Sequence, residues 1–206
     1  MTNKITIIDY EASNIKSLHN SFKYLGKTPI ITSDLREIEN SDKIILPGVG
    51  SYMTGMQCLK KYKIDQLLKK KFKENKSLIL GICLGLQLFF KSSEEKKITK
   101  GIGILDGNVE KFSKNLKIPH MGFNNVHYPS KSKLFKDIPQ DSDFYFANSF
   151  RVKLDETYKK FSSVTTYGER FISAIEYKNL YGTQFHPEKS HNNGLKILKN
   201  FIALNA

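Results

Sequence analysis

The chain has 206 residues, 39% of them hydrophobic, which is enough for one domain with a full-sized core. Its formal net charge is +13, yet of its 33 basic residues only Arg36, Arg151 and Arg170 are arginines. Nucleic-acid readers favour the bidentate arginine fork, so a nucleic-acid role is set aside, and no apolar run is long enough to span a membrane.

Taken in order, residues 4–9 read as a first strand, because the apolar run Ile5 to Ile8 is too short for a signal peptide. Residues 14–26 form a helix closed by Gly26, and residues 28–32 a second strand. Lys43 to Leu46 make a third strand that runs into Pro47-Gly48-Val49-Gly50. Helical patterns follow to about Asn75. The lysine-rich stretch 60–76 carries Leu67, Leu68 and Phe72 at helical spacing, so its charges read as the solvated face of an amphipathic helix. A fourth strand at 77–80 leads to Gly81-Ile82-Cys83-Leu84-Gly85, after which 84–90 continues as an apolar helix. Strands alternating with helices imply an open, doubly wound, mostly parallel α/β sheet. From Gly101 the pattern changes to short strands at 103–112, 125–128, 144–147, 152–154, 162–167 and 172–177. These add antiparallel strands to the sheet or its edge. The chain returns to a strand at 180–184, turns at His186-Pro187-Glu188, and ends in a helix over 192–204. No linker or repeat divides it, so residues 1–206 read as a single domain.

The chemistry lies in two of these turns. A nucleophile at a sharp strand-to-helix turn needs small neighbours, which Gly81 and Gly85 supply around Cys83. The helix start favours a thiolate and offers N–H groups to a developing oxyanion. Either motif alone is an ordinary turn. Together, each follows a core strand, which places both at the carboxyl edge of a parallel sheet, where ligands bind in this architecture. His186 is then placed to take the thiol proton and Glu188 to hold the imidazole by its other nitrogen. The glycines of Gly48-Val49-Gly50 allow that loop to aim an N–H at an oxyanion over Cys83. Cys58 reads as a small buried hydrophobe. Two cysteines give no disulfide framework, and a reducing cytoplasm suits a catalytic thiolate. His19, His120, His127, His186 and His191 lack ligand spacing, so neither a metal nor a cofactor is expected.

Four blocks, Leu46 to Gly50, Gly81 to Gln87, Pro119-His120-Met121-Gly122-Phe123-Asn124 and Gly182 to Ser190, resemble the class I (triad) glutamine amidotransferases over nearly the whole chain. Within that family the likeness is greatest to the glutaminase subunits of imidazole glycerol phosphate synthases. The resemblance implies a flavodoxin-like fold and hydrolysis of L-glutamine to glutamate and ammonia. It implies that Cys83 forms a γ-glutamyl thioester, His186 shuttles protons and Glu188 orients His186. The N–H groups of Leu84 and of the Gly48-Val49 peptide would form the oxyanion hole, Gln87 would contact glutamine, and Ser149 and Phe150 would line its pocket. The block 119–124 would meet a (β/α)8-barrel synthase subunit, which takes the ammonia directly to make imidazole glycerol phosphate and AICAR in histidine biosynthesis.

The chain departs from the family pattern in three places. Phe123 stands for a usual Trp, Asn148-Ser149-Phe150 for His-Ser-Tyr, and Glu11 and Ser13 for glycines of the first loop. These leave the triad intact and bear on the partner. Related amidotransferases that supply a paralogous synthase in bacterial surface-sugar synthesis are therefore an alternative. A non-catalytic scaffold homologue is a third, disfavoured by the intact Cys83, His186 and Glu188.

Overall fold

The computed structural model describes residues 4–12, 15–113, 115–153 and 156–205. The first half alternates β1 (Ile5–Ile8), α1 (Ile15–Tyr24), β2 (Ile30–Thr32), α2 (Leu35–Glu39), β3 (Lys43–Leu46), α3 (Tyr52–Lys61), α4 (Ile64–Glu74), β4 (Leu78–Ile82) and α5 (Leu84–Leu88). The second half is strand-rich: β5 (Ser92–Ser93), β6 (Thr99–Lys100), β7 (Asn108–Lys111), β8 (His120–Asn125), β9 (Asp143–Asn148), β10 (Phe150–Lys153), β11 (Ser162–Tyr167), β12 (Glu169–Tyr177) and β13 (Leu180–Thr183). Helix α6 (His191–Ala203) closes the chain.

The main sheet runs β2-β1-β3-β4-β13-β12-β10-β7-β5-β6, with β11 paired to β12. From β2 to β13 the pairings are parallel, and β12, β10 and β7 then join antiparallel. Successive side chains of a strand point to opposite faces, and here both faces are apolar. Ile44 and Leu46 pack with Met56, Leu59 and Leu68 of α3 and α4 on one side. Ile45, Leu80 and Ile82 pack with Leu18 and Phe22 of α1 and Ile197 and Phe201 of α6 on the other. The doubly wound, mostly parallel architecture with added antiparallel strands is as the sequence implies.

Four local features differ from the sequence reading. Helix α2 was not foreseen; at five residues it is too short to show a period, and it is fixed by Asp34, whose carboxylate accepts from the N–H groups of Arg36 and Glu37 at 2.9 Å each. The expected strand 103–112 shrinks to β7. The apolar residues before it instead cap α5, with the N–H of Ile102 on Leu88 O at 2.9 Å and those of Ile104 and Leu105 on Phe89 O at 2.9 and 3.0 Å. The strand expected at 125–128 lies earlier, as β8, and pairs with β9 in a separate two-stranded ribbon from His120↔Asn148 to Asn125↔Asp143. In the lysine-rich helix α4, Lys71 is buried rather than solvated and donates to Glu39 O at 2.8 Å. Ser13, Asn14 and Leu154, which the sequence reading also touched, lie outside the described residues.

Candidate active site

Cys83 sits between β4 and α5 with φ 53° and ψ −110°. A side chain rarely adopts this strained region, which persists only where the surroundings over-determine it. They do so here: the Cys83 N–H donates to Thr183 O of β13 at 2.7 Å, and the turn is pressed against the end of β3. A Cβ at Gly85 would lie 1.9 Å from Leu46 O, and one at Gly48 2.8 Å from Gly85 N. The glycines are therefore demanded by close backbone approach.

The turn after β13 brings the other two motif residues to the same sheet edge. The His186 N–H donates to Tyr145 O of β9 at 2.9 Å, while the Ser190 hydroxyl donates to His186 O at 2.6 Å and accepts from Tyr145 N at 2.9 Å. The His186 Nδ1 pairs with Glu188 Oε1 at 2.8 Å, both side chains 6% exposed. The imidazole also hydrogen-bonds with Cys83. Burial works against a charged ring, but the Cys83 thiolate and the hydrogen bonds to Cys83 and Glu188 outweigh it and push His186 up to about 10. The ring is thus favoured as an imidazolium, with Glu188 behind the cation.

Cys83 and His186 open into a cavity of about 300 Å³ lined also by Val49, Gly50, Leu84, Gln87, Pro119, Asn148, Ser149 and Phe150. Glu95, Ala147 and Lys189 complete the lining. The sequence reading missed these three. Glu95 lies in the charged run Glu94 to Lys97, which carries no motif, and its Oε2 accepts the Tyr52 N–H at 2.6 Å. A cavity of about 380 Å³ lies elsewhere, among Lys131, Lys133, Lys160, Lys178 and Glu176, and contains none of the motif residues.

The remaining expected site residues fall as follows. Leu84 opens α5 directly after Cys83. The Val49 N–H donates to Ala12 O at 3.0 Å, so the Gly48-Val49 peptide is engaged away from Cys83. Buried Tyr10 clamps the same loop, its hydroxyl donating to Pro47 O at 2.8 Å. Burial, and then the charge of Cys83, raises the Tyr10 phenol above its usual range. Gln87 Nε2 donates to Phe150 O at 2.9 Å and to Gln184 Oε1 at 2.8 Å, and Ser149 O accepts the Phe112 N–H at 3.2 Å. Both carbonyls are thus committed within the protein. Glu11 is absent from the cavity lining; its carboxylate is held by Lys61 at 2.8 Å and by the Tyr62 hydroxyl.

The block 119–124 divides by strand alternation. Pro119 lines the cavity. Met121 and Phe123 are 65% and 48% exposed, Gly122 and Asn124 half-buried. His120 differs from the expectation of a contact residue. Its ring is buried, stacked on Tyr167 at 4.0 Å and Phe146 at 4.9 Å, and burial pushes it down to about 4. It supports the ribbon from behind. Phe123 stacks on His191 with ring centroids 5.2 Å apart and meets Tyr145 edge-on. Among the described residues no cluster of three or more His, Cys, Asp or Glu could hold a metal ion, and no helix is long and apolar enough to cross a membrane.

Residues 6–204 match the family described as "Glutamine amidotransferase class-I". The chain is 41% identical over 202 residues to imidazole glycerol phosphate synthase subunit HisH 1 of Campylobacter jejuni, covering 97% of this chain and 100% of that protein. It is 44% identical over 200 residues to the HisH subunit of Methanocaldococcus jannaschii, covering 97% and 99%. Among solved structures, PurLQS from Thermotoga maritima superposes with a TM-score of 0.73 at 19% identity, covering 98% of both chains. A crystal structure of a glutamine amidotransferase gives 0.72 at 16% identity, covering 96% and 98%. These last two likenesses bear on the fold.

Proposed function

The chain belongs to the glutamine amidotransferase class-I family, and from that premise we propose that it is the glutaminase subunit of an imidazole glycerol phosphate synthase. It hydrolyses L-glutamine to glutamate and ammonia for histidine biosynthesis. The observation that carries this reading is the meeting of Cys83 and His186 at the wall of one small cavity, with Glu188 behind the ring. The same cavity is lined by one carboxylate, Glu95, and one ammonium, Lys189, opposite charges that match a free amino acid bearing both.

The chemistry starts from Cys83 as a thiolate beside a protonated His186. The Cys83 thiolate attacks the side-chain amide carbon, forming the C–S bond while the carbonyl electrons move to oxygen. The oxyanion is met by the Leu84 N–H and by the Gly48-Val49 peptide once that peptide leaves Ala12. His186 gives its proton to the nitrogen, the C–N bond breaks, and ammonia departs from a γ-glutamyl thioester. The now neutral His186 takes a proton from water, whose oxygen attacks the thioester. Glutamate leaves, and the thiolate and imidazolium are restored. Glu188 keeps the ring oriented throughout.

The ammonia passes to a (β/α)8-barrel synthase subunit docked on the exposed Met121, Phe123 and Val49, the last of which lines the cavity. That subunit forms imidazole glycerol phosphate and AICAR. The test is glutamine-dependent turnover with a histidine-pathway barrel synthase from the same cell: tight binding and coupled turnover are expected. Phe123, in place of Trp, favours one second reading, a paralogous barrel protein of surface-sugar synthesis. Failure with the first partner and coupling to the second would establish it.

A further inference from the structure

Behind Cys83, one main-chain carbonyl orders a chain of side-chain amides. Phe150 O can only accept, so the Gln87 atom 2.9 Å from it is the NH2 nitrogen. The second Gln87 hydrogen goes to Gln184 at 2.8 Å, which makes that Gln184 atom the oxygen. The Gln184 Nε2 then faces Cys83 Sγ at 3.7 Å. Asn148 donates to the same Phe150 O at 2.9 Å, filling its other lone pair. Gln184 is fully buried, and its own N–H donates to Ser173 O at 2.8 Å. A flipped Gln184 would set NH2 against NH2 at Gln87 and oxygen against the thiolate. The amide polarity is thus determined from Phe150 inward.

We propose that Gln184 is a further catalytic residue, a fixed N–H donor that holds Cys83 Sγ as an aligned thiolate on the side away from the imidazolium. A donor to the charged form favours that form. His186, with Glu188 behind it, and Tyr10 are the other titratable groups around the sulfur. The proposal rests on the glutaminase reading only for what the thiolate attacks.

The test reads the thiol directly. Full-length Gln184→Met and Gln87→Met proteins are alkylated with iodoacetamide from about pH 5 to 10, and modification of Cys83 is followed by peptide mass spectrometry, which separates it from Cys58. For Gln184→Met the profile moves to higher pH and the rate on its acid side falls about tenfold, the effect of about one unit in midpoint. For Gln87→Met, which keeps the donor but releases its orientation, the shift has the same direction and is smaller. A folded Gln184→Met protein whose profile overlays the parent's overturns the proposal. If circular dichroism shows that this variant does not fold, Gln87→Met decides by the same criterion. A parent that alkylates as expected but never hydrolyses glutamine, with any barrel partner, sinks the glutaminase reading and leaves this result standing.

Discussion

Gly85→Ala is the sharpest structural test of the Cys83 turn. The added methyl would lie 1.9 Å from Leu46 O and 2.9 Å from Leu46 C, well inside van der Waals contact, and both obstacles are backbone in the middle of a parallel sheet. No side chain can swing away, so α5 must move by about an ångström relative to β3. Overpacking typically costs 1–3 kcal/mol, and a backbone obstacle places this case at about 3 kcal/mol. For a domain of this size that lowers the melting temperature by about 6–12 °C. Because Cys83 precedes the displaced residue, its sulfur moves relative to His186. A misplacement of this order costs about 10²-fold in rate. Gly26→Ala is the comparison: Gly26 has φ 73° but nothing within 4 Å of the added carbon, so only backbone strain of about 1 kcal/mol applies. Thermal unfolding by circular dichroism and steady-state glutamine hydrolysis with the partner measure both effects. A Gly85→Ala protein that melts within about 2 °C of the parent and keeps its turnover would refute the steric reasoning.

Cys83→Ala abolishes glutamine hydrolysis while the partner's ammonia-dependent synthesis persists, checked by supplying ammonium salts in place of glutamine. Glu188→Gln lowers turnover less severely, because the orienting contact at 2.8 Å is only part of the triad's effect; initial rates of the two variants compare them. The isolated chain hydrolyses glutamine roughly 10²–10³-fold more slowly than the complex with its substrate bound, since the Val49 N–H is committed to Ala12 O; full activity of the lone chain refutes this. His186 is raised from 6.5 to about 10, so the stability it contributes is fully present below 6.5 and is lost as pH rises towards 10. Melting temperatures measured across that range should fall, and Cys83→Ala should flatten the fall, because it removes the negative charge that retains the proton.

The parallel half of the fold was legible because its apolar runs are short, bounded by glycine, proline and polar turns, and spaced by helical patterns. The meeting of Cys83 with the His186 turn was legible because their motifs end two such runs. What stayed hidden has physical causes. His120 to Asn125 mixes polar residues with Gly122 and shows no clear alternation, although its pairing with β9 makes it a strand. Glu95 sits among other charged residues, and only the chain's return past Tyr52 turns it toward the cavity. Gln184 looked like one more residue of a core strand. Its contact with Cys83 depends on β13 lying beside β4, a pairing across about a hundred residues that no local pattern encodes. The Val49 loop could be read as mobile in orientation, but not which way its peptide points.

That pairing also governs how the protein must be made. Strand β13 inserts between β4 and β12, in the middle of the main sheet. During synthesis, β1, β3 and β4 leave the ribosome first, and β4 then waits with one edge uncovered until Leu180 to Thr183 emerge. Leu78, Ile79 and Leu80 form that edge, an apolar strand with open main-chain groups, the kind that pairs with other chains. A transcript truncated before residue 180 therefore yields a sticky fragment rather than a weakened enzyme. The same late closure brings the His186 turn to Cys83, so that pair is assembled only when the sheet is complete.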